Sequence, residues 1–86
     1  MGRNENLTYK ILELVEEKPY CSSSAVVVEG YDKNSVFKQL KFILRDNLIL
    51  AEPFTDGNGD IVSLNNIHLT LRGLIYMRKL TSILAG

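Results

Sequence analysis

Tyr31 to Gly73, YDKNSVFKQLKFILRDNLILAEPFTDGNGDIVSLNNIHLTLRG, is the stretch whose reading decides the fold. Val36, Phe37, Leu40, Ile43 and Leu44 recur at the three-, four- and seven-residue spacing that lays one apolar stripe along a helix from Lys33 to Asp46. Asp32 suits the cap, because a carboxylate accepts hydrogen bonds from the free N–H groups of a first turn. Asn47 stands at the helix exit, where glycine is common, and Asn tolerates the left-handed conformation better than most residues. Leu48, Ile49 and Leu50 then open a strand, and Pro53 marks an edge or a strand end, since proline donates no ladder hydrogen bond. Asp56-Gly57-Asn58-Gly59 is a turn signal, because Gly and Asn accept positive φ. Ile61, Val62 and Leu64 make the return strand, and Thr70 is a good N-cap for a last helix, Leu71 to Leu84.

Upstream, residues 4–18 read as a first helix. Asn4 or Asn6 can cap it, and Leu7, Ile11, Leu14 and Val15 form one apolar face. Lys18-Pro19 ends it, because the residue before proline is pushed out of the α region. Residues 20–31 stay open. Ala25 to Val28 is β-branched and reads as a strand against the hairpin edge or an extended linker, with the compressed second helix of a helix-turn-helix as the alternative. On the last helix Leu71, Leu74 and Ile75 continue one face. Tyr76, Met77, Leu80, Ile83 and Leu84 spread the apolar arc further, which predicts a second neighbour beyond the core.

Helix, hairpin and helix in so few residues predict an α+β fold: a single winged helix-turn-helix domain over 1–86. Three or four helices and a two- or three-stranded antiparallel wing are expected. Eighty-six residues bury only about 60–65% of the unfolded surface, so a partner chain would add stability. A hydrophobic fraction of 45% with 23% charged residues excludes a disordered tail. Ten basic residues balance ten acidic ones. Dedicated DNA-binding domains often have a pI above about 9. With a pI near 6.6, this chain needs local charge asymmetry for any nucleic-acid footprint. Its longest apolar run, Ala25 to Val28, is far from the roughly 18–20 residues that span a bilayer. The polar start of the chain and its single cysteine fit a cytoplasmic, reducing compartment.

Three short motifs resemble a pattern of small winged-helix proteins of Gram-positive bacteria and their phages, the YjcQ-like type. They are Gly30-Tyr31-Asp32, the helix carrying Gln39-Leu40-Lys41-Phe42-Ile43-Leu44 with Asn47-Leu48-Ile49 after it, and His68-Leu69-Thr70-Leu71-Arg72-Gly73. The resemblance covers roughly Ile11 to Leu80. Asn47 departs from it where Gly is usual, and Leu71 where an aromatic is frequent. The resemblance implies a winged helix of phage or mobile-element context and no defined activity.

Lys38, Lys41 and Arg45 share one stripe of the central helix, with Lys33, Asn34, Ser35 and Gln39 on its N-terminal half. Over Lys33 to Arg45 there are four basic residues and no acidic one. Lys and Arg neutralise phosphates, and Asn and Gln read adenine edges in the major groove. The plainer reading is a solvated helix face. The hairpin tip carries Asp56 and Asp60 with Glu52 nearby, and acids repel phosphate. Asp56, Asn58 and Asp60 have the spacing of a calcium-loop start, but Ile61 and Ile67 occupy the places where that motif needs Gly and Glu. A plain polar turn is therefore expected, with no metal and no cofactor. Cys21 reads as an idle thiol, and His68 as a packing or capping residue. No acid–base or nucleophile set converges, so neither an enzyme nor a small-molecule substrate is expected. The expected function is a DNA-binding transcriptional regulator acting on double-stranded DNA as a homodimer built on Tyr76, Met77, Leu80, Ile83 and Leu84. The alternative is a protein-interaction domain of the same fold without nucleic acid.

Overall fold

A computed structural model of the protein describes residues 4–85, with side chains described through Ile83. The element order is α1 (Glu5–Glu17), a 3-10 turn (Ser23–Ala25), α2 (Lys33–Arg45), β1 (Ile49–Thr55), β2 (Ile61–Leu69) and α3 (Leu71–Ala85). The architecture is α+β, three helices around the base of one antiparallel hairpin, and is compatible with a winged helix.

Asn4 is the cap of α1, its side-chain oxygen accepting from the Leu7 N–H at 3.1 Å. The inward face is Leu7, Ile11, Leu12 and Val15, with Thr8 among them. Leu14, expected inside, is only half-buried, and Leu12 takes its place. The face is rotated because α1 packs against both α2 and α3. Lys18 leaves the α region at φ −130° and ψ 76°, as the residue before proline is pushed to do.

The segment after α1 runs extended beside β2. The Tyr20 N–H donates to the Ile67 carbonyl at 2.7 Å, and the Ile67 N–H to the Cys21 carbonyl at 2.9 Å. Cys21 and Ile67 thus form a one-residue antiparallel bridge on the edge of β2 away from β1. The Ser23 hydroxyl accepts from the Leu64 N–H at 3.0 Å. Val26 and Val28 are buried and Val27 is exposed, the alternation of an extended chain. The extended reading thus holds for Val26 to Val28 as a linker, while the pairing with the hairpin edge falls at Cys21 instead of Ala25–Val28. The helical alternative is reduced to one 3-10 turn.

α2 starts at Asp32, whose carboxylate accepts from the Ser35 N–H at 2.7 Å. It ends with Asn47 at φ 62°. There the Asn47 N–H reaches the Leu44 carbonyl at 3.1 Å and the Leu48 N–H the Ile43 carbonyl at 2.9 Å. This is the paired 5→2 and 6→1 closure that a left-handed residue makes possible. Register in the hairpin runs from Ile49 opposite Leu69 to Thr55 opposite Ile61, with irregularities between Leu50 and Glu52 and between Phe54 and Thr55. Asn66, at φ 52°, lies beside the first of these. The tip is tied by the Asp56 carboxylate, which accepts from the Asn58 N–H at 2.8 Å and the Asp60 N–H at 3.1 Å.

The core joins the inward faces of α1 and α2 to Val26, Val28, Leu48, Ile49, Leu64, Ile67 and Met77. Beyond Ala51 every residue of β1 is exposed, so the distal hairpin projects from the body, and the molecule with its hairpin measures 45 × 25 × 23 Å. Among the described residues no helix is long and apolar enough to cross a membrane.

Candidate nucleic-acid interface

The buried residues of α2 are Val36, Gln39, Leu40 and Ile43. At about 100° per residue, the side opposite them is occupied by Asn34, Lys38, Lys41 and Arg45, which fall within about 60° of arc. From Asn34 to Arg45 the stripe runs about 16 Å along the helix. Asn34, Lys38 and Arg45 are exposed and Lys41 is half-buried. Two half-buried phenylalanines flank the stripe. The Lys41 ammonium lies 5.3 Å from the Phe37 ring centroid, and the Arg45 guanidinium carbon 5.7 Å from that of Phe42. Cation–π contact holds each charge above an aromatic face while leaving it in water. The result is a row of three cations, two of them resting beside aromatic rings, with an amide at its N-terminal end.

Lys33 and Asn34 also line a groove of about 330 Å³ between the start of α2 and β2, together with Val27, Phe37 and Val62. Ser35 is exposed, its N–H committed to the Asp32 cap. The hydrogen bonds from Ser35, side chain first and then backbone, hold the Asp32 carboxyl below its ordinary range. Asp32 and Asp46 bracket α2, so attraction for phosphate concentrates on Lys38, Lys41 and Arg45.

Gln39 does not belong to this face. It is buried, and its Oε1 accepts from the Asn4 N–H at 3.2 Å and the Thr8 hydroxyl at 3.5 Å. The reason is helix packing: α2 crosses α1 over position 39, so the amide satisfies polar groups of α1. The sequence offered no sign of this, since a glutamine between two apolar faces reads equally well as solvated.

The hairpin tip is acidic, with Glu52, Asp56 and Asp60 exposed. Glu52 accepts from the Asn66 side-chain amide at 2.9 Å. Cys21 is half-buried, and burial pushes its thiol up, which disfavours the thiolate. His68 turns Nδ1 to the Asn66 carbonyl at 3.0 Å and packs on Tyr20.

The expected second face of α3 is redistributed. Met77 and Leu80 are 7% and 1% exposed, inside the protomer, so they offer nothing to a partner. Tyr76 is half-buried, Ile83 is exposed, and the side chain of Leu84 lies outside the described residues. Conversely Leu71 and Ile75, expected in the core, are 74% and 49% exposed. Gly73 decides the rotation. It sits one turn before Met77 on the inward side, where its missing side chain lets α3 touch the Leu48 backbone.

Comparison with family models, with curated proteins and with solved structures finds no match to this chain.

Proposed function

We propose that the protein is a winged-helix DNA-binding protein that lays the outer stripe of α2 in the major groove. The observation that carries this reading is the stripe itself: three cations and one amide opposite the core, with no acid on the helix between its caps. A capped helix closed at both ends and pinned to α1 through Gln39 is a stiff platform for such contacts. The acidic hairpin does not grip phosphate in this reading, so α2 supplies the footprint. Small size and the YjcQ-like motifs favour a phage or mobile-element regulator working in the cytoplasm.

The test is binding of fluorescent duplex DNA in a salt titration. Binding at low salt is expected, with the log–log salt slope falling by about one for each of Lys38→Ala, Lys41→Ala and Arg45→Ala. Absence of binding at about 50 mM salt, or unchanged binding by the triple variant, sinks the reading. Phe54 and Val62, 58% and 57% exposed beside the acidic tip, favour a second reading, a protein partner held by the hairpin. Loss of such a partner on Phe54→Glu, with α2 variants unaffected, would select it.

A further inference from the structure

The face where α1 ends and α3 begins is apolar without serving the core. Tyr20 is 65% exposed and held at φ 64°, a left-handed conformation that is an outlier for a bulky residue. Its ring lies against His68 with centroids 4.8 Å apart. Exposed Leu71 and Ile75 stand at i and i+4 on the side of α3 away from Met77 and Leu80. A cleft of about 360 Å³ lined by Glu16, Pro19, Tyr20, His68, Leu71 and Leu74 joins Tyr20 and His68 to Leu71, and Ile75 stands one turn along α3 from it. Exposed apolar side chains gathered at one end of a small chain mark an interface, and aromatic residues are the usual anchors of one.

The charges around the patch say what covers it. Within α1, Glu5, Glu13, Glu16 and Glu17 stand against Lys10 alone, a net charge of −3. Within α3, Arg72, Arg78 and Lys79 meet no acid, a net charge of +3. Glu13, Glu16, Glu17, Arg72, Arg78 and Lys79 are all exposed. A surface with an acidic half, a basic half and an apolar strip at their junction is complementary to itself under a two-fold rotation.

We propose that this face binds a second copy of the chain. In the isologous dimer each α1 lies on the partner's α3, Glu16 and Glu17 face Arg78 and Lys79 across the axis, and Tyr20, Leu71 and Ile75 pack at the centre. Lys38, Lys41 and Arg45 do not line this cleft. The dimer stands or falls independently of DNA binding.

Sedimentation velocity of the full chain tests it. The wild type is expected to dimerise in the micromolar range, and Leu71→Glu with Ile75→Glu to weaken the dimer by at least about a hundredfold, because a two-fold interface loses each anchor twice. These positions are exposed, so far-UV circular dichroism should be unchanged. A gain-of-association test removes dependence on that variant. Chains carrying Glu16→Lys with Glu17→Lys, or Arg78→Glu with Lys79→Glu, should each be monomeric alone and form a one-to-one dimer when mixed, seen by native mass spectrometry. A strictly monomeric wild type overturns the proposal. So does a dimer that survives the Leu71/Ile75 variant but disperses on Phe54→Glu, or a failure of the charge-reversed chains to pair.

Discussion

Gly73 in the first turn of α3 rests on the peptide of Leu48, at the exit of α2. A Cβ built at Gly73 would run into the Leu48 carbonyl oxygen and lie 2.9 Å from its carbon. Around this contact the Thr70 N–H donates to the Leu48 carbonyl at 3.1 Å and the Thr70 hydroxyl to the Asn47 carbonyl at 2.6 Å. The same hydroxyl accepts from the Gly73 N–H at 2.9 Å. The end of α2 and the start of α3 are thus one knot, which sets the angle between the two helices.

Gly73→Ala should therefore destabilise. On an exposed helix the change stabilises by about 1 kcal/mol through propensity. Here backbone must move, at a cost of about 1–3 kcal/mol. Less the propensity gain, a net loss of about 1 kcal/mol is expected, and for a domain of this size the melting temperature should fall by about 4–8 °C, read by thermal denaturation. An unchanged or raised melting temperature would refute the close contact.

Asn47 gives a complementary experiment. Its φ of 62° costs a non-glycine residue about 1–2 kcal/mol in the left-handed well, less for Asn. Asn47→Gly should hold or slightly raise the urea midpoint, and Asn47→Val should lower it. Equal midpoints for the two would mean that the helix does not close through position 47.

Gln39 and Lys38 are neighbours in sequence, one buried and the other exposed. Gln39→Leu strands the buried Thr8 hydroxyl and should cost about 1–2 kcal/mol in urea unfolding. Under folded conditions its DNA affinity should stay within about twofold, while Lys38→Ala loses affinity at unchanged stability. A Gln39 variant that is stable yet loses DNA would put the amide back on the reading face.

Asp32 titrates with folding. Hydrogen bonds from Ser35 lower its folded pKa, so the folded state favours the carboxylate more than the unfolded state does. That contribution is fully present above the ordinary value near 3.9 and is lost as pH falls through the lowered one. Asp32→Asn keeps a capping oxygen and removes the titration. Urea midpoints should match near pH 7, and the variant should lose less than the wild type between about pH 5 and pH 2. Parallel acid limbs would show that the Asp32 cap does not titrate with folding.

Asp60→Lys removes one acid from the hairpin tip without touching the Asp56 carboxylate that ties it. If α2 binds DNA and the tip repels it, affinity at low salt should rise severalfold, and the gain should vanish as salt screens it. No gain would place the hairpin outside the DNA field.

The order of elements and their ends were legible in the sequence because they are set locally. Asp32 and Thr70 hold free N–H groups within three residues, Asn47 adopts a conformation few side chains accept, and Pro19 forbids α-helix one residue earlier. The basic stripe of α2 followed from periodicity alone. Helix rotation did not, because it depends on which neighbour each face meets. Gln39 turned inward because α1 presents Asn4 and Thr8 there. Leu71 and Ile75 turned outward because a glycine, invisible to any count of apolar residues, is the side of α3 that fits the Leu48 backbone. Sequence determined where each helix begins and which charges it carries; only tertiary packing decided which side of α3 is core and which is surface.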